Sequence, residues 1–425
     1  MRRALVGLLS AVLLTQPAHA QSLRDHFSRL FTFGNCGQPL CLDVDTAVNR
    51  HGSHFIPQVV QGERNMLAFI TDAISLSISN IPFTAAASGL AFSFEEGVPV
   101  ATAVSPGPIF AERAETMGKG RFLIGANISG IAFDNIRGVP LDRLQLNFTH
   151  VNVGENTPLG DPEFERDVLH VTTSLELSLI VSNVFASFGV SDRIDVGVAV
   201  PIVHASLSGS STAEVVQHVF PTPHTFDDAG TTRATSSTSA SATGIGDIAA
   251  RLKINLYQTP SLAAALLGDV RLPTGREEDF LGSGATTVRV MGIVSGRRGN
   301  FSPHANVGFL YTNAQSQNNR VLATVGFDQL LSDIATLAVD LVSSFETADS
   351  KLTLPEPVVF TAGGPVQEVQ LTDIPHQKDN FIDASFGMKF SPGGVNRVVT
   401  NVLFPLVESG VRPGVMWTLG VERTF

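Results

Sequence analysis

The stretch GVMWTLGVERTF, from Gly414 to Phe425, alternates residue by residue between two kinds of side chain. One parity is apolar and leads to the aromatic Phe425: Val415, Trp417, Leu419 and Val421. The other is mostly small or polar: Gly414, Met416, Thr418, Gly420, Glu422 and Thr424. Because successive side chains of a β-strand point to opposite faces, this pattern predicts a strand with one apolar and one polar face.

The same alternation recurs along the chain, in residues 169–185, 248–256, 262–272 and 335–345. In 169–185 the odd positions, such as Leu175, are apolar and the even positions, such as Glu176, are polar. A soluble sandwich with its polar faces in water gives the same pattern, so alternation alone does not choose between a soluble sheet and a membrane sheet.

The connections between the strands decide in favour of a membrane barrel. Tight turns such as QTPS (258–261) and LSD (331–333) alternate with generally longer polar loops. The predicted strands have about 11 to 14 residues, which suits tilted membrane strands, whereas soluble strands have about five or six. The sequence therefore predicts an all-β, transmembrane antiparallel β-barrel. A hairpin near 87–95 and 98–105 makes fourteen strands the favoured count, with twelve as the alternative.

The first twenty residues have the features of a secretory signal peptide. Two arginines precede the apolar run Ala4–Leu14, and Ala18-His19-Ala20 forms a cleavage box. The run is shorter than the ~20 apolar residues that a spanning helix needs, which argues against a membrane anchor. We expect residues 1–20 to be removed and the chain to be exported to the bacterial outer membrane.

The net charge and the two cysteines limit the kinds of partner and bound group that are expected. The formal net charge of −11 argues against nucleic acid, which requires a basic surface. Cys36 and Cys41 are the two cysteines, and in an oxidising compartment they form a candidate disulfide. A metal site is the alternative, but two thiols without further ligands at zinc spacing support it weakly. No cofactor or metal is predicted.

Residues 21–86 are predicted to form a segment separate from the barrel, which then occupies 87–425. SLRDHFSRLF (Ser22–Phe31) suggests a short amphipathic helix. The segment is expected to lie in the periplasm or inside the barrel as a plug, and a loosely docked leader is the alternative. Residues 209–244 and 347–378 are predicted surface loops, the first because it contains a Ser/Thr-rich tract.

The alternation also predicts which charged residues point to the inside of the barrel. These lumen-lining candidates are Glu176, Asp195, Asp247, Arg251, Lys253, Asp269, Arg271, Arg289, Asp328, Asp340, Asp383, Lys389, Arg412 and Glu422. As a set they could select or orient a permeating molecule. Individually, each could simply neutralise a neighbour across the wall.

Several stretches resemble a family of bacterial outer-membrane transporters named for the MetA pathway of phenol degradation. They are GPIFAERAETMGKGRF (107–122), FGVSDRIDVGVAVPI (188–202), TGIGDIAARLKI (243–254), DVRLPTG (269–275) and the closing residues 404–425. The resemblance covers roughly 85–425. It implies an architecture similar to the long-chain fatty acid transporters and passage of small, often aromatic or hydrophobic compounds. It also implies that Trp417 and Phe425 form the signal for the barrel-assembly machinery. Membrane barrels usually carry Trp and Tyr side chains at the two membrane interfaces. This chain departs from that pattern, because it has 1 Trp and 2 Tyr but 28 Phe.

The sequence thus predicts a passive outer-membrane channel, whose partners are membrane lipid, the assembly machinery and a small molecule. The alternatives are a structural or surface-interaction barrel with a closed lumen, and a soluble secreted sheet protein. An enzyme is not expected, because neither His170 nor His304 lies in a recognisable nucleophile motif. The oligomeric state is left open.

Overall fold

The structure is a computed structural model. It describes residues 21–34, 40, 92–95, 98–101, 111–149, 168–216, 225–227, 229–315, 317–351, 354, 357–361, 366–392 and 395–425. The predicted signal peptide, Cys36 and Cys41 lie outside these residues. In the part of the chain that is described, no helix has both the length and the apolar character to cross a membrane.

Within the described residues, twelve antiparallel strands close into a ring. In chain order these are β3 (Phe122–Ile136), β6 (Val168–Ser191), β7 (Ile194–Val216), β9 (Ile248–Gln258), β10 (Leu262–Leu272), β11 (Thr287–Gly296), β12 (Phe301–Thr312), β13 (Arg320–Ser332), β14 (Ala335–Glu346), β17 (Phe381–Phe390), β18 (Asn396–Pro405) and β19 (Val411–Thr424). The ring closes because β3 pairs with β19 on one side and with β6 on the other.

The remaining described elements lie outside the ring. They are α1 (Leu23–Arg29), β1 (Phe92–Glu95), β2 (Val98–Ala101), β4 (Val139–Pro140), β5 (Leu144–Thr149), β8 (Arg233–Ile245), β15 (Val358–Thr361), β16 (Val366–Val369) and two short 3-10 helices, Leu141–Arg143 and Glu277–Asp279. The predicted hairpin near 87–105 corresponds to β1 and β2, which pair only with each other. The favoured count of fourteen is therefore wrong, and the alternative of twelve is correct.

The ring has two distinct ends. Tight connections, such as those between β6 and β7 and between β13 and β14, lie at one end, which we call the turn end. The longer connections, including Pro273–Thr286, lie at the other, the loop end. In bacterial barrels the short turns are periplasmic and the longer loops extracellular.

The apolar parity of most strands faces outward. Leu252, Leu266 and Leu419 have 44%, 41% and 46% of their surface exposed, although they are large aliphatic residues in regular strands. The polar parity points inward, where Asp328, Asp340 and many others are buried. A water-soluble sandwich would show the reverse, so the outside of this ring is a lipid-facing wall.

The prediction for 169–185 was wrong in one respect, because the apolar parity of β6 faces inward. Leu175 is only 2% exposed, whereas Glu176 is exposed on the outward face. The reason is length: β6 and β7 have 24 and 23 residues, about twice the 9–11 that a tilted membrane strand needs. Their loop-end halves leave the ring, pair with β5 and β8, and cover an apolar cluster.

The Ser/Thr-rich tract within 229–244 forms strand β8 rather than a surface loop. Its even positions include Ala234, Ala240 and Ala242, which pack against the apolar cluster, and its odd positions are exposed. Since neither parity contains a large apolar residue before Ile245, the tract carries no hydrophobic signal from which a strand could be predicted.

The predicted amphipathic helix is confirmed as α1. Ser22 and Asp25 form a capping box, in which the two hydrogen bonds between side chain and backbone measure 3.0 and 3.1 Å. Leu23 and Phe27 are buried in the apolar cluster beneath β7 and β8. The helix therefore lies at the loop end of the ring, where Leu354, Leu371 and Ile374 from the region 347–378 join the same cluster.

Candidate functional site

A cavity of about 1350 Å³, counted with the solvent space that opens into it, lies inside the ring. Four neighbouring strands, β6, β3, β19 and β18, give it apolar residues: Phe185, Ile131, Met416 and Leu403. Three other neighbouring strands, β9, β10 and β11, give it Arg251, Asp269 and Arg289. The cavity therefore has a mainly apolar wall, to which β19 also adds Arg412, and a charged wall.

The charges of the second wall are paired. Arg289 Nη2 lies 2.5 Å from Asp269 Oδ2, directly across the β10–β11 pairing. Arg251 Nη2 lies 2.7 Å from Glu112 Oε1. This wall thus offers hydrogen-bond donors and acceptors while its formal charges balance.

Glu112 belongs to a stretch that runs inside the barrel just before the first ring strand. We call Ala111–Met117 the inner segment. Arg113 forms an ion pair with Asp328 of β13, and both side chains are almost fully buried. Backbone groups of Ala114 bond Ser295 and Asn255 at 2.9 Å each. The segment thereby fills part of the lumen close to the wall.

The inner segment lies towards the turn end. Thr116 Oγ1 donates to the carbonyl oxygen of Asp192 in the β6–β7 turn at 2.7 Å, and the Met117 amide donates to Asp195 at 3.0 Å. The stretch 107–122 has no strand or helix periodicity that could mark it as an interior segment. In the sequence, only its resemblance to a family motif distinguishes it.

Buried charges continue into the wall behind Asp328. His304 Nε2 lies 2.6 Å from Asp340 Oδ1, and His304 Nδ1 lies 3.7 Å from Asp328 Oδ1. His170, which alternation had placed on the lumen parity, lies on the outward parity of β6 and contacts Asn147 at 2.5 Å. Among the described residues no group of three or more His, Cys, Asp or Glu is placed to hold a metal ion.

Towards the loop end, aromatic and arginine side chains narrow the cavity. The guanidinium carbons of Arg320 and Arg412 lie 4.5 and 4.6 Å from the centre of the Phe381 ring. Beyond them, Arg137 Nε bonds Asp379 Oδ1 at 2.8 Å and so joins the β3–β4 turn to the start of β17. We call these five residues the mouth cluster.

The lumen-lining candidates fall into four groups. Four of them contact the inner segment: Asp195, Arg251, Lys253 and Asp328. Five form ion pairs within the wall: Asp269, Arg289, Asp383, Arg412 and Glu422, the last with Arg397. Three are buried at other inward positions: Arg271, Asp340 and Lys389. The last two, Asp247 and Glu176, do not face the cavity.

Asp247 organises a loop instead. Its carboxylate accepts hydrogen bonds from the Gly275 amide at 3.1 Å and from the Ser283 amide and hydroxyl at 2.8 and 2.6 Å. This shapes the β10–β11 connection, whose Asp279 and Glu277 in turn hold the start of α1. Glu176 lies outside the ring and accepts from Ser208 at 3.1 Å, which corrects its predicted lumen position.

Comparisons with known proteins give a family and several solved structures. The family model described as "Putative MetA-pathway of phenol degradation" matches residues 169–327. No curated protein matches the chain.

Among the solved structures is the COG4313 outer membrane channel from Pseudomonas putida F1, with 10% identity and TM-score 0.43, over 73% of this chain and 98% of that one. A Pseudomonas aeruginosa FadL homologue has 11% identity and TM-score 0.32, over 73% and 91%. A deltaS2S3 mutant of the TodX monoaromatic hydrocarbon channel has 12% identity and TM-score 0.34, over 80% and 97%.

At such TM-scores the fold assignment rests on this chain's own strand register and surface. The register closes a ring, and the outward face of that ring is apolar. The resemblance to the family named for the MetA pathway of phenol degradation is confirmed over residues 169–327, and the described chain forms a closed antiparallel β-barrel of twelve strands with an apolar outer face.

Proposed function

We propose that the protein is a passive channel for small molecules that combine an apolar part, such as an aromatic ring, with a polar group. The observation that carries this proposal is the cavity with one apolar wall and one charged wall. Such walls would hold the two parts of an amphipathic molecule at the same time.

The charged wall favours a neutral or singly charged polar group over a highly charged solute. Asp269 and Arg289 neutralise each other, as do Glu112 and Arg251, so the wall presents dipoles rather than a net field. A phenol or a carboxylic acid could exchange hydrogen bonds with these pairs without requiring a counter-ion. The apolar side chains of Phe185, Ile131 and Met416 would cover its ring.

Passage needs the inner segment to give way, because it occupies the lumen towards the turn end. Many of its contacts are hydrogen bonds and ion pairs with several strands. Its apolar packing is limited to Ala114 and Met117, each of which joins a small cluster of wall residues. Polar contacts of this kind can exchange with water or with a polar solute at a small net cost, about 0.5–1.5 kcal/mol for each neutral bond. The inner segment is thus suited to shift without unfolding the wall.

A barrel with a closed lumen is the second candidate. It is favoured by the Arg113–Asp328 ion pair, whose side chains are only 3% and 0% exposed. Separating a pair so buried without a replacement costs about 3–5 kcal/mol, which would keep the inner segment in place. In that case the outer surface and loops would carry the function.

Uptake into liposomes separates the two candidates. We expect wild-type protein to admit a small aromatic acid faster than a sugar of similar mass. The double variant Arg113→Gln with Asp328→Asn removes both charges of the buried ion pair, so that neither is left buried without the other. We expect this variant to raise uptake and single-channel conductance. The control is Arg297→Gln, whose partner Glu115 is 3.9 Å away in the same segment. No uptake by either wild type or the double variant would contradict the channel.

A further inference from the structure

The outward face of the barrel changes from apolar to polar where the loop-end halves of β6 and β7 leave the ring. On β7 the outward residues Val196, Val198 and Ile202 are exposed and apolar, and from His204 to Glu214 they are polar. Other strands behave differently: Leu272, Tyr311 and further outward residues stay apolar up to the loop end. The lipid-facing wall therefore continues, on one side only, into a polar sheet surface.

This polar surface is a grid of hydroxyl groups. The pairings β6–β7 and β7–β8 place outward residues side by side in rows of three. From the lipid side outward, four successive rows are Ser178, Ser206 and Ser241; Glu176, Ser208 and Ser239; Ser174, Ser210 and Ser237; Thr172, Thr212 and Thr235. We call these residues the hydroxyl face. All but one carry a hydroxyl, and each is at least partly exposed.

A crevice borders the hydroxyl face on the side of β3. Four of its lining residues, Glu176, Ser178, Ser206 and Ser208, belong to the face. The crevice also takes in Asp142 and Arg143 from the bend that follows β3, and Glu408 from the connection between β18 and β19. It opens where β6 exchanges its partner β3 for β5, so that a stretch of β6 around Ser174 and Glu176 has no strand on that side among the described residues.

We propose that the hydroxyl face and its crevice bind the saccharide portion of the outer-leaflet glycolipid, lipopolysaccharide. The argument is one of position and chemistry. The face begins two rows beyond Ile202 and Ile245, which are exposed to lipid, on the same strands and at the loop end. The row between them consists of Ile180, His204 and Thr243. In the outer membrane, the groups that lie directly beyond the acyl chains on the extracellular side are the sugars of this glycolipid.

The chemistry of the face matches a sugar better than a phospholipid headgroup. Every hydroxyl can donate and accept, as sugar hydroxyls do, and the carboxylate of Glu176 adds a strong acceptor. None of the grid residues is cationic, so the face itself has no group to pair with phosphate. The cation that lines the crevice, Arg143, lies 3.7 Å from the carboxylate of Asp142. The repeat of about 4.8 Å between strands and about 6.8 Å along them offers contacts at regular intervals over several sugar units.

The test compares glycolipids of different sugar content on the protein purified in detergent. The variant replaces five hydroxyls that are at least partly exposed: Ser178→Ala, Ser206→Ala, Ser208→Ala, Ser239→Ala and Ser241→Ala. The control variant, Ser182→Ala, makes the same change at an outward position within the lipid band. The unfolding midpoint is read from heat-modifiable gel migration, with lipopolysaccharide that retains its core sugars, with lipid A alone, and with phosphatidylglycerol.

We expect core-bearing lipopolysaccharide to raise the midpoint of wild type and control by several degrees more than lipid A or phosphatidylglycerol does. The five-alanine variant should lose most of that difference and bind the core-bearing glycolipid about tenfold more weakly, or about 1.4 kcal/mol. Its midpoint without glycolipid should equal that of wild type, since the replaced groups are exposed. Equal shifts with lipid A, or an unchanged shift in the five-alanine variant, would overturn the proposal. Conductance plays no part in this measurement, so it stands apart from the proposed channel.

Discussion

At the residue scale, the tightest fit on the lipid side joins Trp417 and Gly130. The two residues are paired across β19 and β3, and a Cβ on Gly130 would lie 2.3 Å from the indole Cε2. The ring therefore covers the glycine backbone. We expect Trp417→Ala to lower the stability of the barrel by about 1 kcal/mol through loss of this cross-strand contact, measured by heat-modifiable migration. Gly130→Val should also lower it, by displacing the ring, whereas Gly268→Ala should not, since its Cβ would meet only the Arg289 carbonyl at 4.0 Å.

A second residue-scale prediction concerns the pair of Arg397 and Glu422. Their side chains are 0% and 1% exposed and 2.8 Å apart, in adjacent strands, with buried Lys389 in the next strand. Glu422→Gln leaves buried cations without their carboxylate, so we expect a loss of about 3–5 kcal/mol. The double variant Arg397→Met with Glu422→Leu should recover much of that loss. A double variant no more stable than Glu422→Gln would contradict this account.

At the element scale, period-two alternation predicted most strands but not which face of a strand lies inside. The pattern divides side chains into two sets, and the lipid-facing rule assigns the apolar set to the outside. That rule holds for β9, β10 and β19, and it fails for β6 because Leu175 and its neighbours cover α1 and other chain segments. The inner segment could not be predicted either, since its position depends on partners such as Asp328 and Asn255 that are distant in sequence.

The position of α1 gives an element-scale prediction. The helix is held at the loop end by Leu23, whose amide donates to Asp279 at 3.2 Å, and by Arg24 with Glu277 at 2.6 Å. With the short turns in the periplasm, α1 then faces the cell exterior. In a background with Cys36 and Cys41 replaced by serine, we expect Arg29→Cys to react with a membrane-impermeant maleimide on intact cells.

The matched controls for this labelling are two exposed positions at opposite ends. Glu278→Cys lies in the β10–β11 connection at the loop end and should be labelled as well. Lys119→Cys, whose amide donates to Asp192 in the β6–β7 turn, should be protected until the membrane is broken. If Lys119→Cys but not Arg29→Cys were labelled on intact cells, the orientation of the barrel in the membrane would be the opposite of the one expected.

At the scale of the whole molecule, the single tryptophan reports on the lipid-facing wall. Trp417 is 43% exposed on the outward parity, at the level of Gly130 and Val402 on its neighbouring strands. In bilayers of lipids brominated along their acyl chains, we expect its fluorescence to be strongly quenched. Aqueous iodide should quench it weakly, because the ring faces acyl chains rather than water. Strong iodide quenching with no bromine effect would contradict the membrane placement.

Ring closure joins the last strand to the first, and the same joint lies close to the inner segment. The seam ends where the backbones of Phe122 and Phe425 exchange hydrogen bonds of 3.2 and 2.7 Å. Met117 lies inside the ring only five positions before Phe122, and its amide donates to Asp195. Because so few residues separate the two places, loss of the pairing at Phe122 would also release the chain that leads to the inner segment. The backbone of Phe425 therefore helps to keep the end of that segment in place.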